Sequence, residues 1–205
     1  MALGWGVALA GCTVFPQPDP VQTYRFGAAL NPDTAPVAGT APVTVSLRPV
    51  EFVEASRNDR LLGVVGNETS YIAGARWISR AQELYENSLR QSFADRSNDV
   101  RLLSPREPGT APLVLQVDVT TFEARYAARD MAPDVVIVAH AVLSARGERA
   151  PGQPMRPEDQ RRQERTFTVV VPTSANRVSA IVDAFDSGTQ NLNRQIVDWV
   201  AASGR

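Results

Sequence analysis

The chain contains no lysine: all 21 of its positive side chains are arginine. That removes Schiff-base catalysis and the phosphate-binding lysine of a P-loop. One cysteine leaves no partner for an intrachain disulfide. One histidine leaves no Cys/His zinc set, and any nucleophile–histidine pair would have to be built around His140. The 22 acidic side chains bring the net charge to −1 and the pI to about 5.9, without the basic excess of a nucleic-acid binder. GxSxG, HExxH, CxxC and GxGxxG are all absent, and the Gly63-Val64-Val65-Gly66 pair is too weak to count as a phosphate loop. Beside 27 alanines, the arginine bias fits the codon usage of a GC-rich genome. Composition calls for no cofactor.

What is present is an ordinary globular share of apolar residues, 43% over 205 residues, enough for one domain or one domain with a tail. The first twelve residues, MALGWGVALAGC, are apolar and glycine-broken, far below the roughly 20 residues of a membrane span. They read as a secretory apolar region running into small residues. Leu9-Ala10-Gly11-Cys12 resembles a bacterial lipobox, in which the cysteine thiol takes a diacylglycerol and the chain is cut just before it. Small side chains admit the peptidase, and only a thiol forms the thioether. No Lys or Arg precedes Cys12, so the reading expects the true start upstream or misassigned. The alternative for Cys12, a small buried core cysteine, fits poorly between an apolar run and TVFPQPDP. Three prolines in those eight residues favour an extended spacer of about 25 Å. The expected organisation is a partial signal peptide at 1–11, a lipidated Cys12 with a Pro-rich tether over 12–20, and one domain over 21–205.

Within that domain the apolar period is first two. Val21–Gly27 reads as a short strand, and Pro42–Pro49 alternates Val43, Val45 and Leu47 with Thr44, Ser46 and Arg48. Asn31–Pro42 reads as a loop. Arg60–Gly66 and Thr69–Ile72 read as strand broken by a turn at Gly66-Asn67. From Gly74 to Phe93 the period becomes 3.6, through Trp77, Ile78, Ala81, Leu84, Tyr85 and Leu89, which predicts a helix of about five turns. Strands are expected at Asn98–Leu103, Pro112–Tyr126, Asp134–Arg146 and Thr166–Val171. Asp134–Arg146 is apolar on both faces, as a strand covered on both sides would be. Glu148–Arg165 reads as a solvated excursion. A last helix carries Val178, Val182, Phe185, Thr189, Leu192, Ile196 and Trp199, with Ser174 as N-cap and Ser187-Gly188 as its weak point. The resulting fold class is α+β: a largely antiparallel or mixed sheet of about six or seven strands, with two long helices packed on it.

Few residues invite chemistry. His140 shares a strand face with Val136, Val138 and Val142, which suits a structural histidine better than a base. Glu123, Asp130 and Asp134 have no paired-carboxylate or calcium-loop spacing, and Trp77 and Trp199 are explained by core packing. No catalytic or metal residue is proposed, and the chain is not expected to be an enzyme. The exposed polar faces of Pro42–Pro49 and Gly74–Phe93 remain docking candidates by exclusion.

The ordered segments resemble the ABC-type transport auxiliary lipoprotein family. The likeness rests on Leu9–Cys12, on Thr23-Tyr24-Arg25-Phe26, and on Tyr71–Trp77 leading to Gln91-Ser92-Phe93. It continues in Leu115–Val119 with Thr121-Phe122-Glu123, and in Ala184-Phe185-Asp186 with Ile196–Trp199. The resemblance implies a non-enzymatic periplasmic subunit, lipid-anchored through Cys12, that assists an ABC permease, its ATPase and an MCE-domain protein in moving lipid between inner and outer membranes. Direct lipid contact and homo-oligomers are compatible with it. Thr13, in place of an inner-membrane retention aspartate, favours the outer membrane. The other readings are a structural envelope lipoprotein or assembly pilot without a lipid substrate, and a secreted hydrolase centred on His140.

Overall fold

The structure, a computed structural model, describes residues 21–27, 42–104, 106–146 and 162–204. The partial signal peptide, Cys12, the tether, the loop through residue 41 and most of the 148–165 excursion lie outside the described residues. In chain order the elements are β1 (Gln22–Tyr24), β2 (Val43–Leu47), β3 (Glu51–Phe52), β4 (Arg60–Val65), β5 (Glu68–Trp77), α1 (Ala81–Asp95), β6 (Val100–Leu102), β7 (Leu113–Tyr126), β8 (Asp134–Ala145), β9 (Arg162–Pro172) and α2 (Val178–Ser203).

β7 organises the sheet. Along one edge it pairs antiparallel with β8, which pairs antiparallel with β9. Along the other edge three short strands follow one another, β2, β3 and β4, each parallel to β7. β6 adds to β2, β5 folds back on β4, and β1 lies parallel beside the end of β5. The class is α+β as expected, and the sheet is mixed, with nine strands among the described residues rather than six or seven. The extra strands are short pieces such as β3, two residues long, which leave no periodic trace.

Both helices cover one face. Leu115, Val117 and Val119 of β7 point into it, and a bulge between Val119 and Thr121 then inserts an unpaired Thr120. The extra residue switches the side-chain phase, so Phe122 and Ala124 point inward where plain alternation would turn them out. Phe122 becomes the hub of an aromatic cluster with Phe26, Phe52, Trp77 and Phe185, at centroid distances of 4.6 to 6.4 Å.

Three local expectations are corrected. Gly74–Trp77 is strand, not the opening of a helix. The Trp77 N–H donates to the Asp59 carbonyl (2.7 Å) and the Ile78 N–H to the Tyr24 carbonyl (2.7 Å), so neighbouring chain takes these donors before a helical turn can form. Trp77 is buried from the strand end into the same core as Tyr85 and Leu89, which explains why the spacing imitated a helix. Ile78, placed by that spacing on the apolar face, is 65% exposed. α2 begins at Val178 with Arg177 as N-cap and no side-chain cap bond, so Ser174 does not cap it. β8, expected to be covered on both sides, meets the helices on one face only, through Val135, Ile137, Ala139 and Ala141. Its other face carries Val136 and Val142, which are buried, and Val138 and His140, which are half-buried.

Ser187-Gly188 does not interrupt α2, which runs 26 residues, about 39 Å. A Cβ on Gly188 would stand 3.2 Å from Ile137 Cδ1 and 3.3 Å from Val171 Cγ2. The glycine lets the helix lie close against the sheet there, and the helix-propensity cost is offset by that approach.

Candidate functional site

His140 sits midway along β8, opposite Asp118 of β7 and Thr166 of β9. Its Nε2 lies 3.4 Å from Glu164 Oε2, and Arg162 Nε donates to Glu164 Oε1 at 2.6 Å. The Arg162 hydrogen bond and charge hold the Glu164 carboxyl below its usual range, with His140 adding to the effect. The His140 and Glu164 side chains are 38% and 48% exposed, so this is a surface polar cluster open to water, and no described Ser or Thr hydroxyl is hydrogen-bonded to His140.

The three acidic residues singled out by sequence form no metal-holding group among the described residues. Glu123 accepts from Arg125 (2.7 Å), Asp134 faces Arg125 in register, and among the described residues no three His, Cys, Asp or Glu side chains could hold a metal ion. Trp77 and Trp199 pack as expected, Trp77 edge-on to Phe185 at 5.4 Å and Trp199 edge-on to Phe167 at 5.8 Å.

The docking faces named by exclusion are partly spent inside the fold. β2 is flanked on both sides, by β6 and β7, and Ser46 Oγ donates to the Leu113 carbonyl at 3.3 Å. On α1, Glu86 accepts from Arg90 at 2.7 Å, Gln91 donates to Asp95, and Gln82 donates to the Val50 carbonyl at 2.6 Å. The α1 end and β6 flank a cleft of about 550 Å³ lined by Phe93, Leu102, Leu103, Arg90 and Arg101. Both arginines there are engaged, by Glu86 and Glu107, so the cleft presents no uncompensated cation to a ligand. A smaller cleft of about 250 Å³ lies between the β4–β5 hairpin and Tyr126, Arg129 and Asn176. Burial pushes the Tyr126 hydroxyl pKa up and, more strongly, that of Tyr85, whose oxygen has no hydrogen-bond partner among the described residues.

A further polar arrangement joins residues that are distant in the sequence. It lies where the chain from β1 enters the domain. Phe26 is 3% exposed and stands edge-on to Trp77 at 4.9 Å. Gly27, at φ +73°, donates its N–H to Asp186 Oδ1 of α2 at 2.6 Å, and Gln190 Nε2 donates to the other carboxylate oxygen at 2.8 Å. A Cβ on Gly27 would overlap the Ser88 side chain of α1. Ser88 Oγ in turn accepts from Asn193 Nδ2 of α2 at 3.0 Å, inside the core. The one signal in the sequence was the Ala184-Phe185-Asp186 block, an acidic residue beside the most buried aromatic of α2.

The site geometry is thus a mixed sheet with two helices on one face, and two clefts whose arginines pair with the protein's own carboxylates. The chain belongs to the ABC-type transport auxiliary lipoprotein component family, whose model matches residues 24–197. Among solved structures it is similar to protein XCC0632 from Xanthomonas campestris, of the DUF330 family. The two are 22% identical, 89% of this chain and 96% of that one are covered, and the TM-score is 0.68. It is also similar to the crystal structure of an uncharacterised protein, with 14% identity, 88% and 99% coverage and a TM-score of 0.62. These two likenesses are of fold. A search of curated proteins found no match.

Proposed function

We propose that the chain is the lipid-anchored, non-catalytic auxiliary subunit of an ABC transport system of the MCE type, held at the periplasmic side of the envelope and assisting lipid movement between membranes. The observation that carries the reading is the family match across residues 24–197, which spans the described core from β1 into α2. Leu9-Ala10-Gly11-Cys12 supports Cys12 as the lipidated residue, TVFPQPDP supports a spacer, and Thr13 favours the outer membrane. The partners are the permease, the ATPase and the MCE-domain protein of the same system.

The test is an affinity pulldown of the full chain, expressed with its natural upstream sequence, beside radiolabelled palmitate incorporation in wild type and Cys12→Ala. Label in the wild type only, with permease and MCE subunits recovered, is the expected result. Label without those subunits points to a structural envelope lipoprotein, and absence of label in the wild type ends the anchor reading.

A further inference from the structure

The junction at Gly27 joins three elements that share no sequence neighbourhood. The chain before it is held lightly: β1 pairs with β5 over three residues at the sheet edge, and Gln22 and Thr23 are exposed. The chain at the junction is held firmly. Phe26 plugs the aromatic cluster, and Gly27 is wedged against Ser88 while bound to Asp186. Beneath it the two helices meet through a polar contact, Ser88 to Asn193, rather than a purely apolar one. Asp186, Thr189 and Asn193 share a face of α2 at steps of three and four. Asn193 Oδ1 and Thr189 Oγ1 are buried without a hydrogen-bond partner among the described residues. Buried unpaired polar atoms oppose closure of the seam, so the seam depends more than the rest of the core on what pins it.

We propose that Gln22–Gly27 is a releasable strap that couples the chain preceding it to the seam between α1 and α2. When the strap is seated, Gly27 pins Ser88 to Asp186 and the seam is closed. When it lifts, Phe26 leaves the aromatic cluster and the seam loosens, while the β7–β8 backbone ladder stays paired. Binding or tension on the tether is thereby read out at the helix pair. That last step rests on the reading that residues 12–20 tie the domain to a membrane; the coupling of strap to seam does not.

Hydrogen exchange read by mass spectrometry on the full chain in a Cys12→Ala background tests the coupling whether or not the native cysteine is lipidated. Gly27→Ala meets both the positive φ and Ser88, and is expected to raise exchange about tenfold in three segments: 22–27, the Ser88 turn of α1, and 184–193 of α2. Exchange across β7 and β8 is expected to change by less than about twofold. Equal acceleration of every segment overturns the proposal, since Gly27 would then be an ordinary part of one cooperative core. Acceleration confined to 22–27 overturns it too, because the strap would lift without touching the seam. Should Gly27→Ala not fold, Asp186→Asn, which weakens the acceptor and adds no bulk, is expected to give the same pattern at about threefold, with the same two results against it.

Discussion

The β7–β8 ladder and the α1–α2 seam are both buried, and they are held by different physics. The ladder pairs the two strands along twelve register positions, broken once at Thr120, and its inner face is all apolar: Leu115, Val117, Val119, Phe122, Ile137, Ala139. Every inward group gains from leaving water, and the backbone hydrogen bonds are made between neighbours in the sheet. The seam buries Ser88, Thr189 and Asn193, joins the helices there through the Asn193–Ser88 hydrogen bond, and leaves two polar atoms unanswered among the described residues. It is closed by a glycine from a distant part of the chain. One region is stable by its own composition, and the other by what is laid across it.

Truncating the hub of the ladder is expected to have the largest effect. Phe122→Ala removes a fully buried ring touching four other aromatics and should cost about 3–5 kcal/mol, read as a fall in the urea midpoint with an unchanged slope. A loss below about 1 kcal/mol would mean that the bulge, and with it the phase of Phe122, is misplaced.

The seam should respond in the opposite sense when both partners are changed. Asn193→Ala alone leaves Ser88 Oγ without its donor and is expected to cost about 1–2 kcal/mol. The Ser88→Ala, Asn193→Leu pair removes the unanswered Oδ1 as well, and is expected to be nearly neutral or stabilising by chemical denaturation. If the double change costs as much as Phe122→Ala, the two regions do not differ as described.

The smallest effect belongs to the margin where β5 begins its contact with β1. Asp59 accepts from Arg76 at 2.7 Å, and this hydrogen bond, opposed by slight desolvation and reinforced by the Arg76 charge, lowers its pKa below 3.8. A carboxylate with a depressed folded pKa stabilises the fold above its unfolded pKa, and the contribution is lost as pH falls through the folded value. Both side chains are more than a third exposed, so screening limits the pair to at most about 1 kcal/mol. Asp59→Asn is therefore expected to leave stability at pH 2 almost unchanged and lower it slightly at pH 7, by thermal melts at the two pH values.

Much of the fold is legible along the chain. β7 up to its bulge, β9 and α2 carry periods of two or 3.6, β8 shows as one apolar run, and each begins or ends within a few residues of its expected place, apart from the earlier start of β9. The α1 boundary was missed because Trp77 enters the same core from a strand as Tyr85 does from a helix, and periodicity reports burial without the element that delivers it. His140 lies in a strand among valines, as its sequence neighbours indicate, but its Glu164 partner comes from a strand whose register no local pattern specifies. The polar face of β2 is likewise half-covered, with β6 and β7 on its two edges, which its alternation alone does not indicate.

By itself the sequence determined what chemistry is out of reach, since no lysine and a single histidine leave few nucleophile and base sets to build. It also determined where long strands and the last helix form, because side-chain burial repeats at the period of the backbone. It held the one thiol whose neighbours resemble a lipidation signal. The tertiary structure alone decided the phase of β7 after Thr120, the use of Gly188 as a point of close approach, and the seat of Gly27 against a carboxylate 159 residues away. A contact of that separation leaves no periodic trace in the chain, and exists only after the sheet and both helices have brought its ends together.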